Sequence, residues 1–82
     1  MTFPLPFEAD KTIQGLYRHY KGKDYRVLGK AKHSETLEEF VVYQALYGDY
    51  GVWVRPSAMF FEDIDVSESA IPRFTKIEEE QP

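Results

Sequence analysis

The residues of this sequence best suited to chemistry are its two histidines, one glutamate near the second of them, and an aromatic–arginine pair. His19, His33 and Glu35 are side chains that zinc and similar ions accept as ligands. Trp53 and Arg55 are two positions apart, so an extended chain presents both on one face. Each group indicates a different kind of site, and the elements that position them decide between the alternatives.

A metal site on the two histidines requires them to converge, and the chain order argues against it. The turn chemistry of residues 21–24 (KGKD) predicts a hairpin that places His19 beside Arg26 or Val27. His33 then lies roughly 20 Å further along the returning strand, at about 3.3 Å per residue. We therefore predict no metal site and no cofactor, with His19 as a half-buried strand residue.

Nucleophilic catalysis is the second chemistry that the residue types allow, because Ser34 lies between His33 and Glu35. Adjacent residues do not easily form a Ser–His hydrogen bond, and no G-x-S-x-G turn surrounds this serine. A turn serine explains it equally well. Because the residue types still allow this chemistry, the alternative prediction is a small hydrolase or metal-dependent enzyme that uses His19, His33 and Glu35.

A binding surface is the third candidate. Trp53 and Arg55, together with Tyr43, would place a flat ring beside a guanidinium, which can stack on a base or peptide group and bind a carboxylate or phosphate. In the competing interpretation Trp53 belongs to the core and Arg55 pairs with Glu62 or Asp63. The sequence leaves both open.

The register of the central hairpin decides what faces the arginine. A three-residue loop at Gly48–Tyr50 predicts Arg55 opposite Tyr43 and Trp53 opposite Ala45. A shift by one residue would exchange the two faces of the strand.

Short apolar runs separated by turn residues predict a mainly β fold. We expect a small five-stranded SH3-like barrel with a short 3₁₀ turn after Pro56. Gly29 in mid-strand predicts a bulge or sharp bend. The predicted extended segments are 15–20, 25–32, 40–47, 52–55, a return strand or bridge at 60–64, and 71–77.

The chain of 82 residues is long enough for one domain, which we place at residues 13–77. Residues 1–12 hold two prolines among alternating apolar residues and predict an extended strap or tail, and residues 78–82 an acidic tail. Residues 11–33 carry seven Lys or Arg and one acidic residue, whereas residues 62–80 carry seven acidic residues and two basic ones. The domain is either polar with one basic face, or its two charged segments lie together and partly cancel.

The composition also restricts partners and location. The net charge of −4 disfavours duplex nucleic acid, so a protein, a peptide or a small ligand is the more plausible partner. No apolar run is long enough to span a membrane, and cysteine is absent. We expect a cytoplasmic protein that is a monomer or a weak homodimer.

Four stretches of the chain resemble one known family. They are GLYRHYKGKDYRVLGKAKHSET, VVYQALYG, WVRPSAMFFE and PRFTKI, within about residues 14–77. They are similar to the bacterial family called domain of unknown function 1653. The resemblance implies a small β-rich domain and no established activity, cofactor or substrate. The family's recurring positions correspond here to Tyr17, His19, Tyr20, Lys21, Gly22, His33, Glu35, Tyr43, Trp53, Arg55 and Pro56.

Taken together, these patterns predict a small binding or interaction module. Its ligand would be a peptide, a nucleotide-like molecule or single-stranded RNA. The candidate ligand-binding residues are Tyr43, Trp53, Arg55, Tyr17, His19, His33 and Glu35.

Overall fold

A computed structural model describes residues 7–77 of the chain. The elements are a 3₁₀ turn (Glu8–Asp10), β1 (Gly15–His19), β2 (Asp24–Lys32), β3 (Glu39–Ala45), β4 (Val52–Pro56), α1 (Ser57–Phe60), β5 (Asp63–Val66), β6 (Ser69–Pro72) and β7 (Phe74–Ile77). Within this part of the chain, no helix has the length and apolar character to span a membrane.

The strands form two antiparallel sheets, which confirms the prediction of a mainly β domain. Five of them lie in the order β4-β3-β2-β1-β7, and β5 and β6 pair only with each other. The predicted number of five strands is wrong, because residues 7–77 contain seven. Over these residues the edge strands β4 and β7 are not paired, so the closure of an SH3-like barrel stays a prediction.

The two added strands come from residues 63–72, most of which lie between the predicted segments 60–64 and 71–77. Ser67 and Glu68 both have positive φ, 50° and 68°, which is the backbone of a type I′ hairpin turn. The usual signal for such a turn is Asn-Gly, which the sequence lacks here. The segment Ser57–Phe60 after Pro56 is one α-helical turn where a 3₁₀ turn was predicted.

The core is aromatic and lies on one face of the five-stranded sheet, beneath α1. The Phe60 ring from α1 stacks on Phe74 from β7 at 4.1 Å between centroids, with the rings only 7° from parallel. Tyr17 and Tyr43 contact Phe60 from the sheet at 5.5 and 5.3 Å. The buried apolar residues are Tyr17, Val27, Val41, Tyr43, Ala45, Phe60 and Phe74.

The opposite face of β2 is covered by the start of the described chain. Gly29 follows a β-bulge, as predicted, and the Phe7 ring lies directly on it. A carboxylate oxygen of Asp10 accepts the Lys30 N–H at 2.9 Å, and the Gln14 side-chain amide donates to the Phe7 carbonyl at 3.0 Å. Residues 1–6 of the predicted strap lie outside the described residues, and residues 8–10 form a 3₁₀ turn, so this part of the strap is not extended as predicted.

Replacing Gly29 with alanine should destabilise the domain. A Cβ atom there would overlap the Phe7 ring and lie 2.7 Å from an Asp10 carboxylate oxygen. Overpacking of this kind costs about 1–3 kcal/mol of unfolding free energy, measurable by urea denaturation. In a Phe7→Ala background the same change should cost much less, because the ring is gone. Equal costs in both backgrounds would contradict this explanation.

The turn at Ser67-Glu68 should be improved by Asn-Gly. Non-glycine residues in the left-handed region pay roughly 1–2 kcal/mol each, and asparagine and glycine pay least. The double change Ser67→Asn, Glu68→Gly should slow amide hydrogen exchange in β5 and β6. Glu68→Ala is the matched control, since it removes the carboxylate without relieving the backbone. An equal gain in protection from the alanine variant would show that charge, not backbone conformation, limits the hairpin.

Candidate functional site

The central hairpin sets the position of Arg55, and its register differs from the predicted one by two residues. Arg55 lies opposite Val41, and Trp53 lies opposite Tyr43. The predicted pairing of Arg55 with Tyr43 is wrong because Ala45 pairs with Gly51, so the loop spans five residues, 46–50, and not three. A shift of two preserves the faces, so all four side chains still start from the same side of the sheet.

The Arg55 guanidinium reaches from one edge of the sheet to the other. Its carbon lies 5.7 Å from the centroid of the Phe74 ring on β7, and its Nε donates to the Tyr43 hydroxyl at 3.4 Å. The residue is partly buried, yet no carboxylate within residues 7–77 forms an ion pair with it. Glu62, one of the two predicted partners, pairs with Arg73 instead at 2.6 Å.

His19 lies at the end of β1, against the same Phe74 ring at 4.9 Å between centroids. Partial burial lowers the pKa of this imidazole, and the positive charges of Arg55, Arg73 and Lys21 lower it further. Its Nδ1 accepts the Lys21 N–H at 3.2 Å. The imidazole is therefore neutral at pH 7 and lies in a positive electrostatic potential.

Three phenol groups complete this side of the molecule. The hydroxyls of Tyr25 and Tyr47 are 2.5 Å apart, and the Tyr25 ring lies 5.4 Å from that of Tyr43. Burial, followed by the hydrogen bond to Tyr47, raises the pKa of Tyr25 to about 12. The Lys23 ammonium lies 5.0 Å from the centroid of the Tyr47 ring. The Tyr25 phenol thus remains neutral at physiological pH.

We call five of these residues the Arg55 cluster: Arg55, Tyr43, Phe74, His19 and Tyr25. The sequence did not predict the parts played by Phe74 and Tyr25. Alternation along β2 gives the only signal for Tyr25, as an inward-facing residue. The approach of Phe74 to an arginine on the far edge strand depends on the curvature of the sheet, which has no local sequence signal.

Two predicted site residues lie apart from the Arg55 cluster. Trp53 is 58% exposed and makes no ring–ring or cation–π contact with another residue of the described chain. The alternative that placed its indole in the core is therefore wrong. Tyr17 is 5% exposed and belongs to the core, where its ring contacts Phe60.

The second histidine and its neighbouring glutamate also lie elsewhere. His33 and Glu35 are in the exposed β2–β3 turn, where the His33 Nδ1 accepts the N–H of Glu35 at 3.1 Å. This turn and His19 lie at opposite ends of β2, whose nine residues extend on the order of 30 Å. The structure therefore does not bring the three residues of the predicted enzyme site together. Among residues 7–77 no three His, Asp or Glu side chains form a group able to hold a metal ion.

A cleft of about 290 Å³ lies beside His19. The end of β1 and the β1–β2 turn form one wall, and apolar side chains of β6 and β7, Ile71, Pro72 and Ile77, form much of the other. Its volume is at the lower end of the range for small-molecule sites, roughly 300–1,000 Å³. Because the two walls are about fifty residues apart in the chain, no local pattern predicts the cleft.

Comparison with known proteins supports the resemblance in the sequence. The family model described as protein of unknown function (DUF1653) matches residues 15–76. The crystal structure of a DUF1653 protein from Bordetella bronchiseptica is similar, with 38% sequence identity and a TM-score of 0.73. The match covers 84% of this chain and 91% of that one. No protein of curated function matches the chain. With most of its length matched and a relative of the same fold, the chain belongs to the DUF1653 family.

Proposed function

We propose that this protein is a small binding module whose Arg55 cluster holds the phosphate group of a nucleotide-like ligand. The observation that carries the proposal is a partly buried arginine without a carboxylate partner among residues 7–77. The SH3-like arrangement predicted from the sequence would serve as the scaffold, with the ligand at the unpaired gap between β4 and β7.

An unpaired guanidinium in this position is costly. Buried or half-buried cations are usually paired, because removal from water without compensation raises their free energy. The Phe74 ring face and the long hydrogen bond to Tyr43 compensate only in part. A bound anion would supply the missing partner through charge-assisted hydrogen bonds from the planar guanidinium.

The charges around His19 favour phosphate over a singly charged group. Arg55, Arg73 and Lys21 all act on this imidazole, and a dianion gains more from several cations than a carboxylate does. Neutral phenol and imidazole groups nearby can donate hydrogen bonds without repelling it. Duplex nucleic acid remains disfavoured by the net charge of −4.

The cleft shares His19 with the Arg55 cluster and none of its other members, so the rest of the ligand would have to extend past this imidazole along the end of β1. Its apolar wall of Ile71, Pro72 and Ile77 suits a flat or apolar body of small size. Trp53 is left outside the proposed contact, because its ring is 58% exposed and makes no ring–ring or cation–π contact within residues 7–77.

Arg55→Gln should abolish or strongly weaken binding. Hydrogen bonds to a charged group contribute about 1.5–3 kcal/mol each, so the dissociation constant should rise roughly 10- to 150-fold. Binding is measured by chemical-shift titration of the full chain with a mononucleotide, inorganic phosphate and a short peptide with a free C-terminus. We expect the mononucleotide to bind best and to shift the resonances of Arg55 and His19.

Lys76→Gln is the matched control, since it removes one positive charge from β7 without touching the Arg55 cluster. Its Nζ donates to the Thr12 carbonyl, away from the proposed ligand. The variant should bind like the natural sequence. Equal weakening of binding by both variants would show that net charge, and not the Arg55 cluster, determines the affinity. If none of the three probes shifts His19 or Arg55, the proposal fails.

The imidazole of His19 should titrate below its usual pKa of about 6.5 in the free protein. Arg55→Gln removes a nearby positive charge, which stabilises the imidazolium and should raise this pKa, whereas Lys76→Gln should leave it unchanged. Bound phosphate should raise it in the natural sequence for the same electrostatic reason. Proton NMR of the His19 imidazole across pH 4–9 measures its pKa in the natural sequence, in both variants and with phosphate bound. A pKa that is unchanged in Arg55→Gln would contradict the description of the site.

A further inference from the structure

Strand β4 is an edge strand that exposes three consecutive apolar side chains. Val52, Trp53 and Val54 are 58%, 58% and 59% exposed, and β4 pairs only with β3 within residues 7–77. Exposed, apolar edge strands are usually protected in soluble proteins, since their free backbone groups pair readily with another strand.

The free backbone groups of β4 belong to its two valines. The Ala45 N–H donates to the Gly51 carbonyl at 2.9 Å, so this pair is a hydrogen-bonded pair of the antiparallel ladder. Because hydrogen-bonded and non-hydrogen-bonded pairs alternate, Trp53 also turns its N–H and C=O toward β3. Val52 and Val54 therefore turn theirs outward, to the open edge.

The other edge of the same sheet has the usual protection. Strand β7 is only four residues long, and Lys76 lies near its end with its ammonium donating to the Thr12 carbonyl. Short length and lysine are both devices that prevent strand pairing. Residues 52–54 carry no charged side chain.

The segment Val52-Trp53-Val54 has the same sequence in both directions, which favours a second copy of this chain as the partner of β4. We propose that β4 pairs with β4 of a second copy of the chain, antiparallel and around a two-fold axis at Trp53. Val52 of each copy would then exchange two backbone hydrogen bonds with Val54 of the other copy. The two Trp53 rings would face each other across the axis as a cross-strand aromatic pair. A two-fold interface requires such a self-complementary surface.

Proline disfavours the neighbouring register centred on Val54. Pro56 also belongs to the outward-facing set but has no N–H to donate. A pairing centred on Val54 would place Val52 opposite Pro56 and lose two hydrogen bonds. In the Trp53-centred register every outward N–H of the two valines has an acceptor.

The contact is small, so the dimer should be weak and reversible. A strand of five residues with its apolar side chains buries less than a standard interface of about 800 Å² per partner. Association should therefore appear only as the concentration rises from micromolar to millimolar. The inference does not depend on the proposed ligand.

Sedimentation equilibrium of the full chain tests the association. The apparent mass should rise from 9.6 kDa toward twice that value with concentration. Val54→Lys places a charge on the edge and should hold the protein at monomer mass, whereas Val54→Thr keeps the N–H and the branched shape and should still associate. A chain that remains monomeric at millimolar concentration, or a lysine variant that dimerises equally well, would overturn the proposal.

Disulfide trapping tests the register, and the chain has no cysteine to interfere. Across the axis, the two residues at position 53 form a non-hydrogen-bonded pair with Cα atoms about 4.5 Å apart, within disulfide range. Trp53→Cys should therefore give a covalent dimer under mild oxidation. Val54→Cys is the control: its two copies are diagonal neighbours roughly 7–8 Å apart and should cross-link poorly. Preferential cross-linking of the Val54→Cys variant, or none by either, would refute the Trp53-centred dimer.

Discussion

The stacked rings of Phe60 and Phe74 hold the two edges of the main sheet near each other. It joins α1, which directly follows one edge strand, to β7, which is the other edge strand. These edges share no backbone hydrogen bonds within residues 7–77, so side-chain packing has to hold them near each other. The curvature of the five-stranded sheet is thus maintained by two rings, one of them completely buried and the other nearly so.

The same ring connects the core with the candidate site. Phe74 packs on Phe60, and it also contacts His19 and the Arg55 guanidinium. An arginine placed over an aromatic face gains electrostatic attraction without a carboxylate, which allows a cation to remain available for an external anion. The arrangement explains why the site cannot be separated from the fold, since the residue that closes the core also supports the guanidinium.

The sequence predicted the features that depend on local patterns. Alternation predicted the first four strands, and Gly29 predicted the bulge. Hairpin geometry correctly separated His19 from His33, although His19 lies beside Lys23 and not beside Arg26 or Val27. The predictions failed where the structure depends on contacts between distant residues or on an unusual backbone conformation. The central loop is longer than predicted, which moves the register by two residues, and Tyr50 in this loop has positive φ. Ser67-Glu68 form a hairpin turn without glycine. The contact of Arg55 with Phe74 needs the curved sheet, which no short stretch of sequence encodes.

The residues that flank the β5–β6 hairpin lie next to each other. Arg73, just after it, donates its backbone N–H to the Glu62 carbonyl just before it, and their side chains form an ion pair at 2.6 Å. The chain therefore leaves the main sheet and returns to it at nearly the same point. Such an excursion is topologically self-contained: it can lengthen, shorten or accept an inserted segment at its tip while the strand order of the main sheet is preserved. For protein engineering, the hairpin is thus a natural place to display a foreign peptide or to open the chain for circular permutation.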